Sequence, residues 1–116
     1  MKKLVIAALA AAVGLLAAPS FAQAQKAASA PPNSQLKRAQ DIVNGRCSLC
    51  HGAEGESASP IFPRLAGQHP EYIAKQLADF KSGRRKGTMN DQAQELTEEE
   101  MKALGVFFAQ KKPKAY

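Results

Sequence analysis

The only two cysteines of the chain are separated by two residues, and a histidine follows the second cysteine directly, in the stretch CSLCH at residues 47–51. Four interpretations of Cys47, Cys50 and His51 compete: a disulfide, a structural zinc site, a redox-active dithiol and a covalently attached haem. Each of them needs a different fold around the motif. The remainder of the sequence therefore has to decide between them.

The first 22 residues have the features of a secretory signal peptide. Lys2 and Lys3 precede an apolar run at residues 4–18, and small residues lead to Ala22 and Ala24. A retained membrane anchor is the alternative, but the run of about fifteen residues is shorter than the ~20 that span a bilayer. We expect cleavage after Ala22 or Ala24, export to an oxidising compartment, and no membrane insertion afterwards.

The mature chain is predicted to be one small domain, residues 33–116, preceded by a flexible tail at residues 23–32 (QAQKAASAPP). Without Lys2 and Lys3, 14 basic and 10 acidic residues give a net charge of +4. That net charge is small, and acidic residues are interspersed among the basic ones, so it does not indicate nucleic-acid binding. So small a domain buries a limited fraction of its surface, and a cofactor would add apolar volume to its core.

Helix signals are plentiful in the domain and strand signals are nearly absent, which predicts an all-α fold. The first helix is expected to begin at Asn33 or Ser34, both good N-caps, and to lead straight into Cys47. A middle helix is expected from Pro70, with Gly83 closing its C-terminus. The apolar positions of the first helix are Leu36, Ala39, Ile42 and Val43, and those of the middle helix are Tyr72, Ile73, Leu77 and Phe80.

The last helix has the clearest start. Thr97 and Glu100 form a capping box, and Leu96 is placed to pack onto Met101. Its predicted buried stripe is Met101, Leu104, Phe107 and Phe108. The segments at residues 52–69 and 84–95 are predicted to be long loops, which in so small a domain are usually functional.

In this setting a covalent haem fits the cysteine motif best. A disulfide would close a tiny loop and leave His51 unexplained. Zinc needs four ligands, and His69, the only remaining candidate, has a spacing that matches no common zinc pattern. A thioredoxin-like dithiol should follow a strand. The pattern C-x-x-C-H instead attaches haem c, because two thiols add to the porphyrin edge and the next residue lies beneath the iron.

One iron ligand would then be His51, and the other side is either empty or filled by His69, Met89 or Met101. Met101 lies on a predicted buried face, where methionine is an ordinary core residue, and His69 is placed to cap a helix. Met89 stands in the polar stretch GRRKGTMNDQAQ, where packing does not explain a methionine. Met89 is therefore the favoured second ligand.

The chain resembles the class I cytochromes c, in particular small periplasmic members and one half of the bacterial dihaem cytochromes c. The resemblance rests on CSLCHG, FPRLAGQHPEYIAKQLADFKSGRR, Met89 and LTEEEMKALGVFFA. It implies three to five helices wrapped around one haem, with the first and last helices crossing. Ala39 stands where the family usually has glycine at that crossing, and Val43 stands where an aromatic residue is common.

Carried over to this sequence, the resemblance implies thioethers at Cys47 and Cys50 and axial ligands at His51 and Met89. It further implies that the Pro63 region orients the imidazole. Two more residues have counterparts in the family: Arg85 lies near a haem propionate, or is simply a solvated loop charge, and Phe107 packs on the first helix.

The expected function is a monomeric periplasmic electron carrier rather than an enzyme. It would shuttle single electrons between a dehydrogenase, a cytochrome complex or a terminal oxidase. The basic residues Lys75, Lys81, Arg84, Arg85 and Lys86 either form a collar that steers acidic partners or are evenly solvated. The alternatives are a haem enzyme or sensor with a labile sixth ligand and an electron-relay subunit of a larger dehydrogenase or oxidase.

Overall fold

The structure is a computed structural model that describes residues 31–115, and these residues form α-helices and one π-helical turn without any β-strand. The elements in chain order are α1 (Asn33–Ile42), the π-helical turn (Val43–Cys47), α2 (Ser48–His51), α3 (Pro70–Lys81), α4 (Met89–Ala93) and α5 (Glu98–Ala109). The all-α prediction is thus confirmed. The predicted leader, its cleavage site and most of the predicted tail lie outside the described residues.

Helix α5 is the central element and packs against both α1 and α3. The predicted capping box is present: the Thr97 hydroxyl accepts from the Glu100 N–H at 3.2 Å, and the Glu100 carboxylate accepts from the Thr97 N–H at 3.0 Å. Leu96 and Met101 are buried in one core cluster. The predicted stripe of Met101, Leu104, Phe107 and Phe108 is buried along its whole length.

Helix α1 packs on α5, and its small residue Ala39 is completely inaccessible to solvent. Ala39 and Phe107 belong to the same core cluster, and outside the core Arg38 pairs with Glu100 at 2.9 Å. Alanine in place of the family's glycine is therefore compatible with close packing of the first and last helices.

Helix α1 begins at Asn33, as predicted, but neither Asn33 nor Ser34 is its N-cap. Pro32 is the N-cap, and no side chain caps the helix. The Pro32 carbonyl accepts from the backbone N–H groups of Gln35 and Leu36 at 2.8 and 3.2 Å. The bond from Leu36 is the first i→i−4 bond of the helix, and the bond from Gln35 satisfies one of the donors that a helix start leaves without partners.

Helix α3 begins and ends as predicted, with Pro70 in its first turn and Gly83 after Ser82 in the left-handed conformation at φ +74°. Ile73 and Phe80 are buried, but Tyr72 is half exposed. Tyr72 was wrongly assigned to the apolar face, because one residue of an α-helix turns the side chain by about 100°. None of the helices within residues 31–115 is long and apolar enough to cross a membrane.

Candidate functional site

The first helix leads straight into Cys47, as predicted, and does so through the π-helical turn Val43–Cys47. The backbone N–H of Ser48 bonds to the carbonyl of Val43, five residues back. Such a turn inserts one extra residue into the helical path and rotates the segment after it. Cys47 consequently packs half-buried against the core, while Cys50 is exposed.

Both cysteines are free thiols, and no disulfide joins them. Burial raises the pKa of the Cys47 thiol, against a smaller lowering by the nearby charge of Arg46. Within residues 31–115 no cluster of three or more His, Cys, Asp or Glu side chains is arranged to hold a metal ion. His51 and His69 are thus not brought together with the two thiols as a four-ligand zinc site would require.

The His51 side chain is buried, and a backbone carbonyl fixes its orientation. Its Nδ1 lies 2.8 Å from the carbonyl oxygen of Pro63. A carbonyl only accepts, so Nδ1 carries the proton and donates it, and the lone pair of the neutral ring resides on Nε2. Nε2 makes no hydrogen bond to any described residue. The imidazole is thereby prepared to bind a metal through Nε2, with a backbone partner that holds the ring.

The segment carrying Pro63 is tied to the rest of the domain by hydrogen bonds. The Gly67 N–H donates to the Phe108 carbonyl on α5 at 2.9 Å. The Ser57 hydroxyl donates to the Cys50 carbonyl at 3.1 Å. Residues 52–69 form no helix or strand, as predicted, yet they are held against both α5 and the cysteine motif.

Met89 is the first residue of α4, and the prediction that it lies in a loop without helical structure was wrong. Five residues are too few to show apolar periodicity, which is why no helix signal is visible there in the sequence. Met89 is half buried, and Ala93, one turn later on the same face, is completely buried. The face of α4 that carries the Met89 thioether is therefore turned towards the interior.

The two rival ligand candidates have ordinary structural positions. Met101 is buried in the core cluster between the helices. His69 is the exposed N-cap of α3.

Four of the five basic residues of the predicted collar, Lys75, Lys81, Arg84 and Arg85, contact other groups of the domain. The Arg85 guanidinium donates to Gln76 and lies 4.5 Å from the centre of the Phe80 ring. Lys75 and Arg84 both pair with Asp79 instead, and hydrogen bonds from the two cations hold the pKa of that carboxyl below its ordinary value. The Lys81 ammonium donates a hydrogen bond to the Leu96 carbonyl.

Two side chains near the candidate ligands were not anticipated from the sequence. The Phe62 ring meets the His51 ring edge-on, with 6.3 Å between the ring centres. Asn90, next to Met89, bonds three backbone groups. The residue type could have indicated this role, because asparagine side chains commonly form hydrogen bonds to nearby backbone groups.

The helical fold, the CSLCH segment and the prepared imidazole define a c-type cytochrome. The chain belongs to the family described as "Cytochrome C oxidase, cbb3-type, subunit III", whose sequence profile matches residues 34–107. It is 45% identical over 82 residues to cytochrome c4 of Thiocapsa roseopersicina, a match that covers 71% of this chain and 43% of that protein. The chain thus spans less than half the length of this relative.

Two further comparisons support the assignment. The chain is 37% identical over 102 residues to the "Cytochrome subunit of sulfide dehydrogenase" of Chlorobaculum tepidum, covering 86% of this chain and 92% of that one. The crystal structure of reduced recombinant cytochrome c4 from Pseudomonas stutzeri superposes with a TM-score of 0.64 at 28% identity, over 71% of this chain and 50% of that one.

The resemblance to the cytochromes c is confirmed. Membership of this family implies a covalently attached haem c. The residues present fit that group, because two free thiols stand at the attachment spacing and His51 keeps Nε2 without a hydrogen bond to the described residues.

Proposed function

We propose that the chain is a one-electron carrier with a single haem c, attached through Cys47 and Cys50 and ligated by His51 and Met89. The observation that carries this proposal is the hydrogen bond from His51 Nδ1 to the Pro63 carbonyl at 2.8 Å. A bond of this kind fixes the tautomer and orientation of a ligating imidazole and raises its basicity. A disulfide or a redox-active dithiol at Cys47 and Cys50 would not require a buried histidine whose Nε2 lacks a hydrogen bond.

The haem supplies reversible one-electron exchange between ferric and ferrous iron. Filling both axial positions with His51 and Met89 leaves no open coordination position for a substrate, which favours a carrier over an enzyme or a sensor. Methionine as the second ligand raises the reduction potential. Arg85 is proposed as the partner of a haem propionate on the resemblance alone; in the structure its guanidinium lies over the Phe80 ring and donates to Gln76.

Electrons are proposed to enter and leave at the surface around Cys50. Leu49 is 83% exposed and Ile61 is 78% exposed, which is unusual for large apolar side chains. Leu49 directly precedes Cys50, and Ile61 directly precedes Phe62, whose ring contacts His51. Apolar side chains exposed beside the attachment site suit brief contact with another redox protein.

We further propose that the protein acts in the periplasm as a monomer, after removal of residues 1–22 or 1–24. Its partners would be redox proteins such as a dehydrogenase, a cytochrome complex or a terminal oxidase. A second candidate function is that of a bound relay subunit, which is favoured by the match to nearly the whole cytochrome subunit of a sulfide dehydrogenase. Size-exclusion chromatography of native extract separates a free carrier from a bound subunit.

Purification of the native protein tests the proposal. Mass spectrometry should find a chain that starts at Gln23 or Gln25 and carries one haem, and acid-acetone should not extract that haem. A thiol assay should detect neither Cys47 nor Cys50. The ferric protein should show a thioether–iron absorption band. A colourless protein with a disulfide, purified from a host that matures c-type cytochromes, would contradict the proposed haem attachment. A high-spin spectrum would favour an enzyme or a sensor over a carrier.

A further inference from the structure

The C-terminal end of α3 is capped by side chains from α4 and the residue after it. The last carbonyl groups of a helix have no partner within it. At the end of α3, the Phe80 carbonyl accepts from Asn90 Nδ2 at 2.6 Å, and the Lys81 carbonyl accepts from Gln94 Nε2 at 3.2 Å. Asn90 and Gln94 are four residues apart, about one helical turn, so a single face of this segment is bonded to α3.

Asn90 also closes the loop that leads into α4, whereas Gln94 makes no such bond. Asn90 Nδ2 donates a second hydrogen bond, to the Arg85 carbonyl at 2.8 Å, and its Oδ1 accepts from the Gly87 N–H at 2.7 Å. These partners fix which way the amide faces, because carbonyls only accept and an N–H only donates. One side chain therefore joins the end of α3, the loop and the start of α4.

The start of α4 is the position of Met89. A helix of five residues is not stable by its own hydrogen bonds, so contacts outside α4 must hold it. Because Asn90 follows Met89 directly, its three bonds fix the backbone that carries the thioether. The face carrying Met89 and the fully buried Ala93 points to the interior, next to the face that Asn90 and Gln94 attach to α3.

We propose that Asn90 is a positioning residue that holds the Met89 thioether against the iron, an inference that rests on the ligand assignment proposed above. A thioether is a neutral ligand that small molecules can displace when its segment moves away. Moving the Met89 segment from α3 breaks the bonds of Asn90 to Phe80, Arg85 and Gly87. Those bonds therefore oppose the opening of the sixth position, and Asn90 acts on the ligand without touching the iron.

Asn90→Ala tests this proposal, with Gln94→Ala as the matched control. Both changes remove a side-chain cap from the end of α3, but only the first releases the loop beside Met89. In the ferric holoprotein, we expect Asn90→Ala to bind cyanide at least about tenfold faster than the wild type, because two or more net hydrogen bonds are lost. It should also lose the thioether–iron band at a lower pH and have a lower reduction potential. Gln94→Ala should stay within about twofold of the wild type in the cyanide rate.

Asn90→Asp covers the case in which the alanine variant does not fold. Aspartate has the same shape and keeps an oxygen for the Gly87 N–H, but it cannot donate to the Phe80 and Arg85 carbonyls. It should also accelerate cyanide binding. Equal cyanide rates for the folded Asn90 variants and Gln94→Ala, with unchanged bands and potentials, would overturn the positioning role.

Met89→Ala separates failure of this inference from failure of the ligand assignment. If the wild type has the thioether–iron band and Met89→Ala abolishes it, the assignment stands and the Asn90 variants decide the inference alone. If Met89→Ala keeps the band, Met89 is not the ligand and the positioning role falls with it.

Discussion

Gly105, in the middle of α5, lies so close to the first turn of α3 that a Cβ atom on residue 105 would be 2.3 Å from the Pro70 carbonyl oxygen. The missing side chain lets α5 approach the backbone of α3 at this point. Because Pro70 follows the loop at residues 52–69, the contact also fixes where that loop ends. The packing of the two helices thus depends on a residue that contributes no side chain.

Gly105→Ala should destabilise the protein by about 1–3 kcal/mol or more, because the added methyl group collides with backbone that has no flexible end to move. The matched control is Gly45→Ala in the π-helical turn, where an added Cβ meets nothing within 4 Å. That change should be neutral or slightly stabilising. Urea unfolding of the two holoprotein variants measures both effects. Equal stability of Gly105→Ala and the wild type would mean that α3 and α5 separate at little cost.

Met89→Ala should change the optical spectrum, whereas Met101→Leu should leave it unchanged. Without Met89 the sixth position opens, so the thioether–iron band should vanish, the reduction potential should fall and cyanide should bind quickly. Met101→Leu conserves volume in the core cluster and should cost less than roughly 1.5 kcal/mol while leaving the spectrum unchanged. Optical titration measures the absorption band and cyanide binding, and voltammetry measures the reduction potential. Urea unfolding measures the stability of Met101→Leu. Loss of the band in the Met101 variant alone would reverse the ligand assignment.

Asp79→Asn should destabilise the protein in a pH-dependent manner. Hydrogen bonds from Lys75 and Arg84 lower the pKa of Asp79 in the folded state. The associated stability is therefore fully present above the pKa of the unfolded chain, about 3.9, and is lost as the pH falls through the lower folded value. Urea midpoints of variant and wild type should differ at neutral pH and approach each other as the pH falls below about 4.

The control for that prediction is Asp91→Asn, since the exposed side chain of Asp91 makes no hydrogen bond or ion pair with any residue from 31 to 115. Its urea midpoint should stay close to that of the wild type at neutral pH. A loss in Asp79→Asn that persists unchanged into acid would show that packing, and not charge, is responsible.

Leu49→Ser and Ile61→Ser should slow electron exchange between molecules. Electron self-exchange, measured by NMR in mixtures of the reduced and oxidised protein, requires no knowledge of the natural partner. Losing about 1.4 kcal/mol of contact in the encounter complex corresponds to a tenfold slower rate. Tyr72→Ser, at a half-exposed position on α3, is the control and should leave the rate unchanged. Equal rates for all three variants would exclude this surface from the electron path.

The sequence was sufficient for features encoded within a few neighbouring residues. The capping box of Thr97 and Glu100, the start of α3 at Pro70 and its end before Gly83 were predicted because each depends on one helix end and its own backbone. The family could be inferred in the same way from CSLCH and the segments around it. Local spacing defines that motif, so no knowledge of the tertiary contacts was needed.

Other features depend on which surfaces meet, and only the tertiary structure decided them. The helical state of Met89 comes from bonds between Asn90 and residues of α3 and the preceding loop, and no periodicity in five residues reveals such bonds. Most of the basic collar has local partners, because Lys75 and Arg84 pair with Asp79 and Arg85 lies over Phe80. The lone pair on His51 Nε2 likewise depends on a carbonyl twelve residues away, because a long loop returns Pro63 to the histidine.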